Sequence, residues 1–266
     1  MEKLIERLQN EIPHLQNRKE MLKDILSLLD LTTLEGTDNK QVVDNLCDKA
    51  LSFKNKNLPY PAAICVYPPF ANQVKQRVQQ AGINVACVAG AFPSGQSPLN
   101  LRVEEVKYAV AQGADEIDMV ISRGEFLAGN TAFVKQEVAE IKKACGKAHL
   151  KVILETGELG SVENITHASE LAIEAGADFI KTSTGKIQPA ATPLAMATML
   201  QVIKNHYSKT GIKIGIKPAG GISTPDVALL YYLLVKEILG DQWLNNKLFR
   251  IGASRLADKI VEEVAI

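Results

Sequence analysis

The sequence predicts an α/β protein, a (β/α)8 TIM barrel with an extra N-terminal helix, from three observations. Glycines recur every 29 to 35 residues, most of them after an amphipathic segment and each a few residues before an apolar run. This pattern is typical of a helix that ends at a glycine and passes into a strand. Residues 109–120 and 172–183 also resemble each other, as expected of repeated βα units. Eight units of about 30 residues match the usual size of such a barrel. The recurring glycines are Gly82, Gly113, Gly146, Gly176, Gly211 and Gly240.

The individual elements follow from the same pattern. Amphipathic stretches such as 38–53, 72–80 and 224–239 indicate helices, and roughly residues 1–17 form the extra helix. The eight predicted strands cover residues 26–34, 62–67, 84–90, 115–121, 150–156, 178–183, 213–219 and 248–254. No linker or low-complexity tract interrupts them, so we expect a single domain over residues 1–266. An open, doubly wound sheet is the alternative, but it rarely needs eight regular units.

Composition excludes several classes of function. The chain has 30 basic and 30 acidic residues, so no net field attracts nucleic acid or an anionic membrane. No apolar run approaches the ~18 residues of a membrane span, and the N-terminus has no signal-peptide core. Four scattered cysteines without a C-x-x-C pair indicate reduced thiols, so we expect a cytoplasmic protein. The four histidines lack metal-ligand spacing, and no metal is expected.

Charged residues are concentrated near the carboxyl ends of the predicted strands, where barrel enzymes carry their chemistry. Asp30 ends the first strand, Cys65 lies late in the second, and Asp118 lies in the fourth. Lys181 ends the sixth strand and Lys217 ends the seventh. Any one of these charges could belong to an internal Asp–Lys pair that holds strands together. Four charges at one barrel mouth instead indicate a functional site.

The two lysines suggest the kind of chemistry. Because their strands are neighbours, Lys181 and Lys217 are expected within several ångströms of each other. A nearby cation in a poorly solvated site lowers a lysine pKa, and a Schiff-base nucleophile must be a neutral amine. Lys181 is therefore the candidate nucleophile, activated by Lys217. Lys151 starts its strand and is expected deeper, on the same face as Glu155.

The loops after the last two strands suggest a phosphate site. "GGISTPD" at 220–226 combines glycines, a Ser or Thr helix cap and a proline, and "GASR" at 252–255 offers further amides. An ordinary tight turn with a helix cap is the alternative. "TSTGKI" does not match a P-loop, because Ile180 and Ile187 occupy positions that need Gly and Ser or Thr.

Specific stretches of the chain match a known family. They are "LLDLTTLEGTD", "AAICVYPPF", "FPSG", "GADEIDMV", "LKVILETGEL", "AGADFIKTSTGK", "IKPAGGIST" and "FRIGAS". Over nearly its whole length the chain resembles the deoxyribose-phosphate aldolases. The resemblance implies a class I aldolase on a (β/α)8 barrel, without metal or cofactor. Such an enzyme reversibly cleaves 2-deoxy-D-ribose 5-phosphate, a small phosphosugar of deoxyribonucleoside catabolism, to acetaldehyde and D-glyceraldehyde 3-phosphate.

The resemblance also implies a role for each matching residue. Lys181 becomes the Schiff-base lysine, and Lys217 becomes the amine that perturbs its pKa and transfers protons. Asp118 becomes the acid/base that works through a water, with Lys151 as its partner in the proton relay. Asp30 and Cys65 are expected to line the pocket. The residues expected to bind the phosphate or shape its site are Thr184, Lys186, Gly220, Gly221, Gly252 and Ser254.

Two departures from the family pattern lead to further expectations. Relatives carry a serine where this chain has Arg255, which either strengthens phosphate binding or, as we favour, points outward from a helix surface. The sequence ends at "EEVAI", without the C-terminal tyrosine of some relatives, so we expect slower proton exchange at the enamine. The resemblance is also compatible with a homodimer.

Two other functions remain open from the sequence. One is a Schiff-base aldolase for another phosphosugar or for an unphosphorylated aldehyde. The other is a catalytically silent barrel that only binds a sugar phosphate. That function would require Lys181, Lys217 or Asp118 to be missing, and all three are present.

Overall fold

The computed structural model describes residues 1–265, and Ile266, the last residue of "EEVAI", lies outside it. Eight parallel strands form a single sheet in which chain neighbours are also sheet neighbours. The strands are β1 Leu29–Thr32, β2 Ala63–Val66, β3 Asn84–Ala89, β4 Glu116–Val120, β5 His149–Ile153, β6 Phe179–Lys181, β7 Gly215–Lys217 and β8 Ile251–Ala253. Each lies within the run predicted for it, apart from His149 at the start of β5.

The sheet closes on itself to form a barrel. β8 pairs with β1, and two isolated bridges, Ile216 with Phe249 and Ala219 with Gly252, join it to the β7 side. The Gly252 N–H donates to the Pro218 carbonyl at 2.9 Å across this seam. The sequential strand order confirms the predicted (β/α)8 barrel and excludes the doubly wound alternative, in which strand order reverses at a switch point.

The helices surround the barrel. Their bounds are α1 Glu2–Glu11, α2 Arg18–Ser27, α3 Lys40–Ser52, α4 Ala71–Val78, α5 Leu99–Ala111, α6 Arg123–Leu127, α7 Thr131–Cys145, α8 Thr156–Leu159, α9 Val162–Glu174, α10 Pro193–Thr210, α11 Pro225–Leu239 and α12 Leu256–Ala265. Local chemistry fixes several starts: the Thr224 hydroxyl accepts from Val227 N–H at the head of α11, where Pro225 needs no donor. All six recurring glycines have positive φ, as the predicted helix ends require.

The extra N-terminal helix is shorter than the 1–17 expected. α1 ends at Glu11 and a 3-10 turn over Ile12–His14 follows, because Pro13 lacks the N–H that would continue the helix. α1 packs on α10 and α11 in the outer layer, with Leu8 buried and Arg7 paired to Glu237 at 2.7 Å. It is thus part of the helical shell.

The two faces of the strands meet different surroundings. The outward face carries apolar residues such as Ile64, Ile117 and Val152, which pack against the helices in one continuous core. The inward face is divided in two. The apolar cluster consists of Leu34, Ala63, Cys65, Ala86 and Val88, with Tyr67 and Phe92 packed on it. The ionic cluster consists of Asp30, Glu116, Asp118, Lys151, Lys181, Lys217 and Arg250, all of them buried.

Ion pairs across the barrel establish that the ionic cluster faces inward. Asp30 on β1 lies 3.5 Å from Lys151 on β5, and Asp118 on β4 lies 2.7 Å from Lys217 on β7. Strands that are not neighbours in the sheet can touch in this way only through the barrel interior.

None of the helices within residues 1–265 is both long and apolar enough to cross a membrane.

Candidate active site

A cavity of about 510 Å³ opens at the carboxyl ends of the strands. The segments that follow β1, β6, β7 and β8 line it, as expected for the catalytic end of a barrel. Lys181 is the one member of the ionic cluster among the lining residues. The lining consists of Thr32–Glu35, Lys181, Thr184–Lys186, Gln188, Ala219–Ser223 and Gly252–Arg255.

Lys181 ends β6, which places its amine between the cavity and the interior charges. Its side chain is only 3% exposed, and its Nζ donates to Asp118 Oδ2 at 2.7 Å. Asp118 accepts from three lysines, because Lys217 Nζ reaches Oδ2 at 2.7 Å and Lys151 Nζ reaches Oδ1 at 3.0 Å. The expected proximity of Lys181 and Lys217 is therefore confirmed, with one carboxylate oxygen between them.

Lys217 is held by two carboxylates. Besides Asp118, its Nζ donates to Asp30 Oδ2 at 2.5 Å. Gly252 makes room for it, since a Cβ there would lie 3.1 Å from Lys217 Cε and 2.9 Å from Ala219 Cβ. The Lys217 side chain is thus fixed at its ammonium group by the two carboxylates and along its methylene chain by the close approach of Gly252.

The lower part of the ionic cluster contains two residues that sequence reasoning missed. Arg250 donates to Asp30 Oδ1 at 2.7 Å and to Glu116 Oε1 at 2.6 Å. Glu116 also accepts a hydrogen bond from Lys151. Both residues could have been found from strand periodicity, because Glu116 lies two residues before Asp118 and Arg250 two before Gly252. Lys151 is completely buried, as expected, although it is the third residue of β5 and does not start the strand.

Lys181 and Lys217 have opposite pKa shifts. Burial lowers the pKa of Lys181, and the Lys217 ammonium lowers it further, against the opposing effect of Asp118. Burial also lowers the pKa of Lys217, but Asp118 and Asp30 outweigh it and raise that pKa above its ordinary value. Lys217 therefore holds its proton more strongly than Lys181 does. The lowered pKa makes Lys181 the lysine that can react as a free amine.

The charge balance of the cluster points to the same assignment. Asp30, Glu116 and Asp118 face four basic groups. Although burial raises the carboxylate pKa values, the surrounding lysines and Arg250 dominate and lower all three below their usual range. Three carboxylates balance three cations, so a neutral Lys181 leaves the buried cluster without net charge. This arrangement avoids the cost of burying an unpaired charge.

The far end of the cavity is polar and built from loops. The Thr184 N–H donates to Glu155 Oε1 at 3.1 Å and its hydroxyl donates to Oε2, while the Lys186 N–H donates to Thr184 Oγ1 at 3.1 Å. The buried Glu155 carboxylate thus fixes the loop that carries Lys186. Gly220 has a φ of +81°, and a Cβ there would lie 2.6 Å from Ala190 Cβ, so only glycine fits this turn.

The predicted anion-binding set is brought together at this end. Thr184, Lys186, Gly220, Gly221, Gly252 and Ser254 all line the cavity. Ser223 and Ser254 lie just before α11 and α12, whose first N–H groups favour an anion. Arg255 is exposed, as expected of an outward residue, yet it also contributes to the cavity lining.

Two expectations about depth need correction. Asp30 is the second residue of β1 and does not end the strand. Asp30 and Cys65 are completely buried and neither is among the cavity-lining residues. Asp30 belongs to the ionic cluster because it holds Lys217 and Arg250, and Cys65 belongs to the apolar cluster, where burial raises its pKa to about 11.

Comparison with known proteins agrees with this architecture. Residues 25–231 match the model of the DeoC/LacD family aldolases. The chain is 46% identical over 263 residues to a putative deoxyribose-phosphate aldolase of Caenorhabditis elegans, covering 96% of this chain and 84% of the relative. It is 45% identical over 252 residues to the Homo sapiens deoxyribose-phosphate aldolase, covering 90% and 79% of the two chains.

A solved structure shares the fold. The crystal structure of a putative deoxyribose-phosphate aldolase from Coccidioides immitis matches with a TM-score of 0.79 at 28% identity, covering 92% of this chain and 87% of that one. With a family match over most of the sequence, relatives above 40% identity and a buried lysine at the mouth of a closed barrel, the chain belongs to the DeoC/LacD family of aldolases.

Proposed function

We propose that the protein reversibly cleaves 2-deoxy-D-ribose 5-phosphate to acetaldehyde and D-glyceraldehyde 3-phosphate, with Lys181 forming a Schiff base. The observation that carries the proposal is the position of Lys181. Its amine lies at the cavity, has a lowered pKa, and is 2.7 Å from the carboxylate of Asp118. The names of the curated relatives support this substrate.

The first step is attack of the neutral Lys181 amine on C1 of the open-chain sugar. The C1 oxygen takes up protons and leaves as water, and the nitrogen becomes a protonated imine. Asp118 and the neighbouring lysines supply the acid and base for these transfers, all within 3.0 Å of Asp118 oxygens. The protonated imine nitrogen, formerly the Lys181 Nζ, then pairs with Asp118, which already accepts a hydrogen bond from that nitrogen in the free protein.

The second step breaks the C2–C3 bond. Asp118, through a water, removes the proton from the C3 hydroxyl, the C3 oxygen becomes a carbonyl, and the electron pair of the broken bond passes to the iminium to give an enamine. The low pKa of Asp118 suits a carboxylate that polarises the water and passes the proton on instead of retaining it. Because the iminium accepts the electron pair, the proposed step needs no metal.

The third step returns a proton to C2 and releases acetaldehyde by hydrolysis of the imine. Lys217 is proposed as the proton donor because its ammonium group shares Asp118 Oδ2 with Lys181 and so lies next to the reacting nitrogen. Lys151 contacts the other oxygen of Asp118 and is proposed to complete the relay. Asp30 takes part indirectly, by holding Lys217 in place.

The phosphate would occupy the loop end of the cavity. Lys186, the amides after β7 and β8 and the starts of α11 and α12 supply its donors, and Arg255 adds a second cation. Binding energy gained there orients C1 toward Lys181. This substrate would place the protein in deoxyribonucleotide catabolism, and we propose a cytoplasmic location.

Reductive trapping tests the proposal directly. The protein is incubated with deoxyribose 5-phosphate, treated with borohydride, and the modified peptide is mapped by mass spectrometry. We expect one adduct on Lys181. An adduct on Lys217 or Lys151 would retain the aldolase but reverse the assigned roles, and folded protein without an adduct would favour a binding function or another substrate. Unphosphorylated 2-deoxyribose, run in parallel, separates the two substrate classes.

A further inference from the structure

Glu35 and Lys186 form an ion pair at the cavity rim that connects two distant segments of the chain. The Lys186 Nζ donates to Glu35 Oε1 at 3.0 Å. Glu35 follows β1 and Lys186 follows β6, so the pair joins loops from different sides of the barrel mouth. Both residues line the cavity that holds the proposed phosphate site.

The loop that carries Glu35 is built to hold it there. The Asp38 carboxylate accepts from the Thr33 hydroxyl at 2.8 Å and from the Glu35 N–H at 3.0 Å, and the Asp38 N–H donates to the Glu35 carbonyl at 3.0 Å. These bonds close the turn on itself. Lys186 is fixed from the other side by Thr184 and Glu155.

Lys186 can exchange its carboxylate partner Glu35 for a phosphate group. The Glu35 side chain is 70% exposed and that of Lys186 is 28% exposed, and ion pairs of this kind contribute little to stability. A sugar phosphate brings more negative charge and more acceptor oxygens than a carboxylate does. It would therefore replace Glu35 as the partner of Lys186 when it enters the cavity.

We propose that Glu35 competes with the substrate phosphate for Lys186 and so sets the affinity for phosphorylated ligands. The proposal rests on the proposed function for its choice of substrate, but its ligand chemistry is that of any phosphate monoester. Glu35 weakens binding because it occupies the ammonium group that the phosphate needs. Unphosphorylated sugars would not be affected.

The test is Glu35→Gln, which keeps the shape of the side chain and removes its charge. We expect KM for deoxyribose 5-phosphate and the dissociation constant of inorganic phosphate to fall about two- to five-fold. The kcat/KM for unphosphorylated 2-deoxyribose should not rise. Glu174→Gln is the matched control, because Glu174 forms a 2.7 Å exposed pair with Lys135 outside the cavity, and it should leave all three quantities unchanged.

A double-mutant cycle with Lys186→Met isolates the exchange. In the Lys186→Met background the benefit of Glu35→Gln should disappear. An equal benefit in both backgrounds would show general repulsion and overturn the competition, as would unchanged phosphate affinity in Glu35→Gln. The titration with inorganic phosphate needs no turnover. Failure of the proposed function would instead appear as wild-type protein that binds phosphate but does not cleave deoxyribose 5-phosphate.

Discussion

The barrel interior has two halves that are equally buried and chemically opposite. The apolar cluster around Cys65 and Val88 fills its space with small side chains. The ionic cluster packs seven charged or ionisable groups into the same barrel, with every carboxylate between at least two basic groups. In the apolar cluster the side chains are held by packing, whereas in the ionic cluster the position of each charged group depends on the groups with which it pairs.

The difference has an energetic consequence. Shortening a buried apolar side chain removes packing contacts and leaves a small cavity, and the loss of unfolding free energy grows with the volume removed. Removing one member of a buried ionic network leaves its partner charged and unpaired, which costs more for a smaller structural change. Lys181 is the exception within the ionic cluster, because its lowered pKa favours the neutral form. The following four predictions test this contrast.

The largest effect is expected from Lys181→Leu. Turnover of deoxyribose 5-phosphate should fall by about four orders of magnitude or more, because the substitution removes the amine proposed to form the Schiff base. The protein should remain folded and bind inorganic phosphate as the wild type does, since a neutral lysine leaves no unpaired charge when it is removed. Steady-state kinetics, circular dichroism and a phosphate titration check the three parts. Loss of folding would mean that Lys181 is a required cation of the cluster.

The next effect compares the two halves directly. Glu116→Gln removes one charge from between Lys151 and Arg250 and should lower the free energy of unfolding by about 3–5 kcal/mol. Val88→Ala, at an equally buried site in the apolar cluster, should cost about 2 kcal/mol. Urea unfolding monitored by fluorescence gives both values. A smaller loss for Glu116→Gln than for Val88→Ala would reverse the proposed contrast.

Lys217→Leu should shift the pH dependence of catalysis. The Lys217 ammonium disfavours protonation of Lys181, so its removal raises the pKa of Lys181 and leaves Asp118 to stabilise the charged amine more strongly. The acid limb of kcat/KM should therefore move to higher pH, by about one unit or more, together with a lower maximum rate.

The control for this shift is Lys142→Leu. Lys142 pairs with Asp178 at the opposite end of the strands and should leave the pH profile where it is. An unchanged profile for Lys217→Leu would show that burial alone lowers the pKa of Lys181.

The smallest effect is expected from Cys65→Ala. Cys65 lies in the apolar cluster and below the cavity, so the loss of its sulfur should cost only about 1 kcal/mol of unfolding free energy. The kcat/KM should stay close to the wild-type value. A large loss of activity with normal stability would return Cys65 to the substrate pocket, as the family resemblance implies.

Local sequence patterns were sufficient to predict the positions of the strands and the proximity of Lys181 and Lys217. Strand order follows chain order in this fold, so the ends of β6 and β7 could be placed side by side before any distance was known. Glu116 and Arg250 were within reach of the same reasoning, because each shares a strand face with a predicted site residue. The depth of Asp30 could not be predicted in this way, because it depends on the residue at which β1 begins and on the partner that reaches Asp30 across the barrel.

The sequence by itself predicted the barrel, because periodicity and glycine positions are local, and it placed Lys181 and Lys217 at the ends of neighbouring strands. The set of site residues came from the family resemblance, and the chemistry of a lysine nucleophile is our proposal. Only the tertiary structure decided which carboxylates each lysine meets. Lys217 meets two carboxylates and Lys181 shares one, a difference of contacts across the interior that chain spacing does not encode. The pairing of Glu35 with Lys186 is of the same kind, because 151 residues separate two side chains that meet at the barrel mouth.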